Sequence, residues 1–196
     1  MDSAPHMFAS FDPGISPAVA IWQDGLLVHL ELLDTPASMD EPDRLASICE
    51  WVDSLHEAWS LEEAAIEHFI AFFGSASTDT NGRRYRHDRG TKRNPRSLFL
   101  MKAGQTAVQT SLIRHRIPFS LYPPGAWKPN ARGQRQGKAP TQEAVSERYG
   151  LKVNDHLADA VLIGEFHLNT GRQSKRDPKG VMHWTPRAVP GPGIAG

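Results

Sequence analysis

The order of short apolar runs constrains this chain most. Three strand-like runs come first: Met7-Phe8-Ala9-Ser10-Phe11-Asp12, Ala18 to Trp22, and Leu26 to Leu30. Helical and strand-like runs then alternate. Pro13-Gly14 stops the first run. Asp24-Gly25 separates the second from the third and suits a tight hairpin, because both residues tolerate positive φ. Residues 43–58 place Leu45, Ile48, Val52 and Leu55 at helical spacing. Glu63 to Ile70 reads as a fourth strand alongside the first. Residues 97–116 read as a helix with Leu98, Met101, Gln105, Val108 and Leu112 on one face, where Gly104 permits close packing. Ile117 to Tyr122 reads as a fifth strand, put at an edge by Pro118. Thr141 to Tyr149 and Val153 to Leu168 complete the helices, the last capped by Asn154. This order gives an α/β fold: a five-stranded mixed sheet, three antiparallel strands then two parallel ones, flanked by helices.

At 196 residues the chain can bury a core without disulfides. Its single cysteine, Cys49, excludes an internal disulfide and an all-cysteine zinc site. No apolar run approaches the ~20 residues of a membrane span. The first residues lack the basic and apolar regions of a secretory signal, so a reducing cytoplasm is the expected setting. Residues 1–6 read as an N-terminal extension and 7–170 as the domain. Residues 171–196 read as a basic, Pro/Gly-rich tail for which disorder is expected. The formal net charge of zero hides an asymmetry. Residues 1–80 hold 15 acidic side chains and one basic one, Arg44; residues 81–196 hold 21 basic and 7 acidic. A polyanionic partner for the second half explains this, and so does complementarity between two halves of one fold. Residues 74–96, with Arg83, Arg84, Arg86, Arg89, Lys92, Arg93 and Arg96, read as a long basic loop.

Acidic and metal-capable residues stand at the ends of elements. Asp12 ends the first strand, where it also suits a turn. Glu67 interrupts an apolar strand, and a buried unpaired carboxylate is costly. His156 and Asp159, three apart, share one face at the start of the last helix, opposite Leu157, Val161, Gly164 and Leu168. Singly, each has an ordinary reading as a turn, packing or surface residue. Together, carboxylates on rigid elements suit Mg²⁺, which takes oxygen ligands. Two such ions roughly 3.5–4 Å apart stabilise the attacking and leaving oxygens of phosphodiester hydrolysis.

These residues resemble a known family. Phe11-Asp12-Pro13-Gly14 resembles the opening Asp-Pro-Gly of the RuvC Holliday junction resolvases, and Ala65-Ile66-Glu67 their second acidic strand. Lys102-Ala103-Gly104-Gln105 is similar to the Lys-x-Gly-Gln of their central helix. His156-Leu157-Ala158-Asp159-Ala160 is similar to their last motif. The four segments fall in family order across residues 7–168. The resemblance implies an RNase H-like fold, a homodimer formed through the helix at 97–116, and cutting of four-way DNA junctions by paired nicks. It implies two Mg²⁺ ions per active site, with Mn²⁺ as a substitute, and Asp12, Glu67, His156 and Asp159 as catalytic and metal-binding residues. Asp12 would bridge the metals, Glu67 would bind one and help position water, and His156 and Asp159 would complete the second metal's ligands. His156 stands where many members carry aspartate. It would ligate metal or act on the water or leaving group, with Asp155 the alternative at that position.

The basic residues then read as phosphate contacts: Arg83, Arg84, Arg86, Arg89, Lys92 and Arg93 after the Glu67 strand, and Lys128, Arg132 and Lys138 after the fifth. Lys128 and Lys138 fall near the family's DNA-binding lysines. Phe72, Phe73 and Tyr85 are candidates to wedge or stack at an opened junction. The long basic stretch and the tail point to a phage-type member. Other readings are an RNase H-like nuclease acting on flaps, forks or hybrids, a sugar-kinase-like phosphotransferase, for which the chain is too short, and a non-catalytic DNA-binding protein.

Overall fold

All six residues of the first strand are buried, so this strand has helices on both faces and neighbours on both sides. The computed structural model describes residues 5–36, 38–69, 77–78, 84–85, 95–128, 138–172 and 182–185. In chain order the elements are β1 (Met7–Asp12), β2 (Ala18–Gln23), β3 (Leu26–Leu32), α1 (Glu41–Trp59), β4 (Glu63–Glu67), β5 (Ser77–Thr78) and β6 (Arg84–Tyr85). Then come α2 (Pro95–Arg114), β7 (Phe119–Tyr122), α3 (Pro124–Trp127), α4 (Lys138–Tyr149), α5 (Asp155–Arg172) and β8 (Met182–Trp184).

The main sheet runs β3-β2-β1-β4-β7-β8. β1, β2 and β3 are antiparallel neighbours, while β4 is parallel to both β1 and β7. The turn after β2 puts Asp24 at φ 52° and Gly25 at φ 84°, the double positive φ that a tight hairpin requires. β5 and β6 pair as a separate ladder inside the basic stretch 74–96.

Alternation along the strands divides the core. Ala9, Phe11, Ile21, Ala64, Ile66 and Leu121 pack with Ile48, Val52 and Leu55 of α1 and Val108 and Leu112 of α2. On the other face, Phe8, Ala20 and Trp22 pack with Val145 of α4 and Ala158 and Val161 of α5. Odd and even residues thus have different neighbours, which puts Asp12 and Glu67 on the α5 side. Asn154 caps α5, its Oδ1 accepting from Leu157 N at 2.9 Å.

Two expectations need correction. The sheet has six strands, not five. The sixth, β8, comes from the stretch assigned to a disordered tail, and pairs antiparallel with β7. Trp184 stacks on Phe119 at 5.3 Å, and His183 Nδ1 lies 2.8 Å from Ser120 Oγ. β7 is consequently interior rather than an edge. Pro118 precedes the strand, so its missing N–H removes no ladder bond, and its carbonyl accepts from Ala64 N at 2.9 Å.

Candidate active site

Phe11 of β1 pairs with Ile66 of β4 in parallel register. Asp12 and Glu67, one residue further along each strand, therefore lie side by side at the strands' C-terminal ends. In open α/β sheets this is the end at which ligands bind. Asp12 is 4% exposed. The first turn of α5 projects onto it, and His156 donates from Nδ1 to Asp12 Oδ2 at 2.8 Å. Gly14 makes room for the imidazole. A Cβ there would lie 3.4 Å from His156 Cε1 and Nδ1 and 3.7 Å from Asp12 Oδ1.

α2 supports the same turn from beneath. A Cβ on Gly104 would lie 3.1 Å from the Pro13 carbonyl oxygen and 3.3 Å from that of Gly14. The helix comes this close to the Asp-Pro-Gly backbone only because residue 104 has no side chain. One position later, Gln105 is fully buried. Its Oε1 accepts from Phe69 N at 3.0 Å and from Lys102 Nζ at 3.3 Å. Gln105 thus fixes the chain two residues past Glu67. In the sequence Gln105 lies on the helix's apolar face and in a family motif. An amide at a core position was the available signal, because burying one requires a partner.

α3, a single helical turn, delivers the site's cation. Its backbone closes with Lys128 N donating to Pro124 O at 3.0 Å. Lys128 Nζ donates to Asp159 Oδ2 at 3.1 Å and lies 4.7 Å from the centroid of the Trp127 ring. Lys128, expected to meet phosphate, sits among the carboxylates.

The electrostatics follow from this crowding. Burial, then the negative charge of Asp12, pushes the Glu67 carboxyl up to about 8. A hydrogen bond shared with Asp12 and the charge of Asp159 act the same way, against Lys128. Burial also raises Asp159, opposed by the Lys128 ammonium. Three carboxylates thus share one ammonium and one imidazole. Among the described residues no three His, Cys, Asp or Glu side chains are already spaced as a metal cage. The donor set nonetheless fits Mg²⁺ or Mn²⁺: three carboxylates and one imidazole, oxygen-rich and short of positive charge.

The structure therefore brings Asp12, Glu67, His156, Asp159 and Lys128 together. Asp155 opens α5, one residue before His156. Arg83, Arg86, Arg89, Lys92, Arg93, Arg132, Phe72 and Phe73 lie outside the described residues. Arg84 and Tyr85 form β6, and Lys138 opens α4.

No protein-family model matches the chain, and no curated protein matches it. Solved structures do. Thermus thermophilus RuvC in complex with a Holliday junction substrate gives a TM-score of 0.62 at 19% identity, covering 86% of this chain and 96% of that one. A second structure of Thermus thermophilus RuvC gives 0.60 at 19% identity, with the same coverage. The yeast mitochondrial Holliday junction resolvase Ydc2 gives 0.50 at 14% identity, covering 85% of this chain and 79% of that one. The chain has the mixed α/β fold of the RuvC-type resolvases.

Proposed function

We propose that this protein is a metal-dependent endonuclease that resolves four-way DNA junctions by paired nicks. One observation carries the reading. Within a fold shared with RuvC, Asp12 and Glu67 stand side by side at the strand ends, with His156 of α5 on Asp12 and Asp159 of α5 on Lys128.

In this reading Asp12, Glu67, His156 and Asp159 hold the metal. Two Mg²⁺ ions would stabilise charge on the attacking and leaving oxygens and lower the pKa of water. The chain's own residues do the positioning. Asp12 is fixed by the strand behind it, the His156 hydrogen bond and the Gly104 contact beneath its turn. Glu67 presents its carboxyl beside Asp12, where it can orient a water. Lys128, released from Asp159, reaches a backbone phosphate. The basic residues Arg83, Arg84, Arg86, Arg89, Lys92, Arg93, Arg132 and Lys138 add sequence-independent phosphate contacts, as a branched substrate read by shape requires. Phe72, Phe73 and Tyr85 supply aromatic surface for unstacked bases. Paired nicks need two sites, so the working unit is a homodimer. No described helix is long and apolar enough to cross a membrane.

The test compares wild type with Asp12→Asn on a synthetic four-way junction in Mg²⁺ with mapped cut sites. Symmetric paired nicks by wild type are expected. Asp12→Asn should lose them while binding the junction at least as well, because a carboxylate repels phosphate. Cutting by Asp12→Asn at the wild-type rate overturns the metal site. Faster cutting of flaps or RNA–DNA hybrids than of the four-way junction overturns the substrate.

A further inference from the structure

Arg44 is the one basic residue among the first 80, and the structure turns it inward. It is 6% exposed, on the first turns of α1. Its guanidinium spans two segments. Nη1 donates to the Ile15 carbonyl at 3.3 Å and to Thr35 Oγ1. Nη2 donates to the Pro36 carbonyl at 2.9 Å and meets that of Met39 at 3.5 Å. Thr35 Oγ1, accepting from Arg44, donates in turn to the Ile15 carbonyl at 3.1 Å. Thr35 is buried to the same degree.

Among the described residues no carboxylate pairs with Arg44, although Asp40, Glu41 and Asp43 lie nearby on its own helix start. Burying a guanidinium against neutral acceptors is costly, and a surface ion pair would have spared that cost. What the buried arrangement gains is geometry. A planar fork ties two segments at fixed spacing, which a flexible ammonium cannot do. One of those segments is the candidate site's own turn: Ile15 is three residues past Asp12. That turn is held beneath by Gly104 and on the α5 side by His156. Arg44 and Thr35 close the third side.

We infer that Arg44 and Thr35 are positioning residues for Asp12, acting through the Ile15 carbonyl to fix the Asp12–Ile15 turn. The inference rests on the proposed role of Asp12 in metal binding. A loop staple with no bearing on the site would lose stability when broken and nothing else. Groups that orient a metal's ligands typically cost 10–100-fold in metal affinity or activity when removed.

The experiment uses the full chain and three variants of this contact: Thr35→Val, Arg44→Lys and Arg44→Met. Thr35→Val removes only the bridging hydroxyl. Arg44→Lys keeps the charge but cannot serve Ile15 and Pro36 together. These two keep the test open if Arg44→Met does not fold. Val52→Ala, a core cavity about two turns along the same helix, is the control for lost stability. Mn²⁺ affinity is measured by calorimetry without DNA, beside single-turnover junction cleavage and junction affinity. Thr35→Val and Arg44→Lys should each weaken Mn²⁺ binding and slow cleavage by about tenfold or more, with junction affinity within about twofold. Val52→Ala should melt earlier yet bind Mn²⁺ as wild type does. Folded Thr35→Val and Arg44→Lys proteins with wild-type Mn²⁺ affinity and cleavage overturn the inference and leave the site's assignment standing. If Asp12→Asn binds Mn²⁺ as wild type does, the assignment itself falls.

Discussion

Gly164→Ala should destabilise this protein, although alanine is the better helix former. A Cβ at residue 164 would lie 2.3 Å from Trp22 Nε1, 2.4 Å from Cε2 and 2.6 Å from Cζ2. Ordinary contact begins near 3.5 Å, so the indole or the helix must shift by about 1 Å. The indole has little room to move. It is 1% exposed, stacks on Phe8 at 5.7 Å with the planes 4° apart, and meets Tyr149 edge-on at 6.3 Å. Its Nε1 donates to Ser10 Oγ at 2.9 Å, and Ser10 Oγ donates to the Ala160 carbonyl at 2.8 Å, which ties β2 through β1 to α5. Overpacking costs about 1–3 kcal/mol. Loosening the buried indole hydrogen bond adds about 1–3 kcal/mol. Helix propensity returns about 1 kcal/mol. The net loss is about 1–5 kcal/mol. At roughly 2–4 °C per kcal/mol for a chain of this size, Tm falls by roughly 2–20 °C. Urea and thermal unfolding measure both quantities. Trp22→Leu removes all three crowded atoms, so Gly164→Ala should be neutral or stabilising in that background. A single Gly164→Ala variant as stable as wild type, or equal costs in both backgrounds, refutes the close-packing argument.

Three other outcomes are expected. Gly104→Ala meets backbone oxygens at 3.1 and 3.3 Å, a tighter fit than usual but not a severe clash. Stability should change by less than about 1 kcal/mol, because helix propensity offsets strain, while junction cleavage falls several-fold as the Asp12 turn is pushed; unchanged cleavage would count against that turn. Asp159→Ala should abolish cleavage, and His156→Ala should cost less if the imidazole only tunes water. Equal losses, by single-turnover rate, make His156 a metal ligand. The His167 hydrogen bond, partly opposed by burial, holds Glu63 below its ordinary value of 4.5. A depressed carboxyl contributes stability above its unfolded pKa and loses it as pH falls through the folded one. Glu63→Gln should therefore narrow its deficit to wild type as pH drops below about 4.5, checked by urea midpoints from about pH 6 to 3. A constant deficit contradicts the His167 contact.

The parts of this fold legible in the sequence are those with local causes. β1 announces itself by an apolar run cut off at Pro13-Gly14, the β2–β3 hairpin by Asp24-Gly25, and α5 by the Asn154 cap. Glu67 stood out because a carboxylate inside an apolar strand needs a reason. β8 had no such signal. Met182-His183-Trp184 has no period among prolines, glycines and lysines, and becomes a strand only because β7 offers it an unpaired edge. The same absence misplaced β7, since an edge is a property of the sheet and not of Ile117 to Tyr122. The site's supports were only partly legible for a similar reason. Arg44 reads as the lone base of an acidic half, and Gln105 as an amide on a core face whose partner the sequence does not name. Contacts spanning 29 residues for Arg44 and 36 for Gln105 decide their roles.

The charge asymmetry left two explanations open: a polyanionic partner, or pairing between the acidic and basic halves. Pairing between halves is present among the described residues. Arg114 and His115, at the end of α2, both bond Asp53 of α1. Arg148 with Glu165 and Lys128 with Asp159 pair within the second half. Other acids of the first half turn to neutral or local partners, or to a histidine of the second half. Glu31 accepts from Trp51 Nε1 at 2.7 Å, Asp40 caps α1 through Asp43 N at 3.1 Å, and Glu63 meets His167. The first half's only cation, Arg44, is spent on carbonyls. Among the described residues, internal complementarity thus accounts for contacts at Asp53, Asp12 and Glu63, while most of the second half's basic residues lie outside the described residues. A basic surplus facing solvent is what the proposed salt-sensitive binding to phosphate would use. Under the proposed function the acids gathered at the strand ends fit the same partner, because Asp12, Glu67 and Asp159 would repel phosphate until a divalent cation reverses their sign.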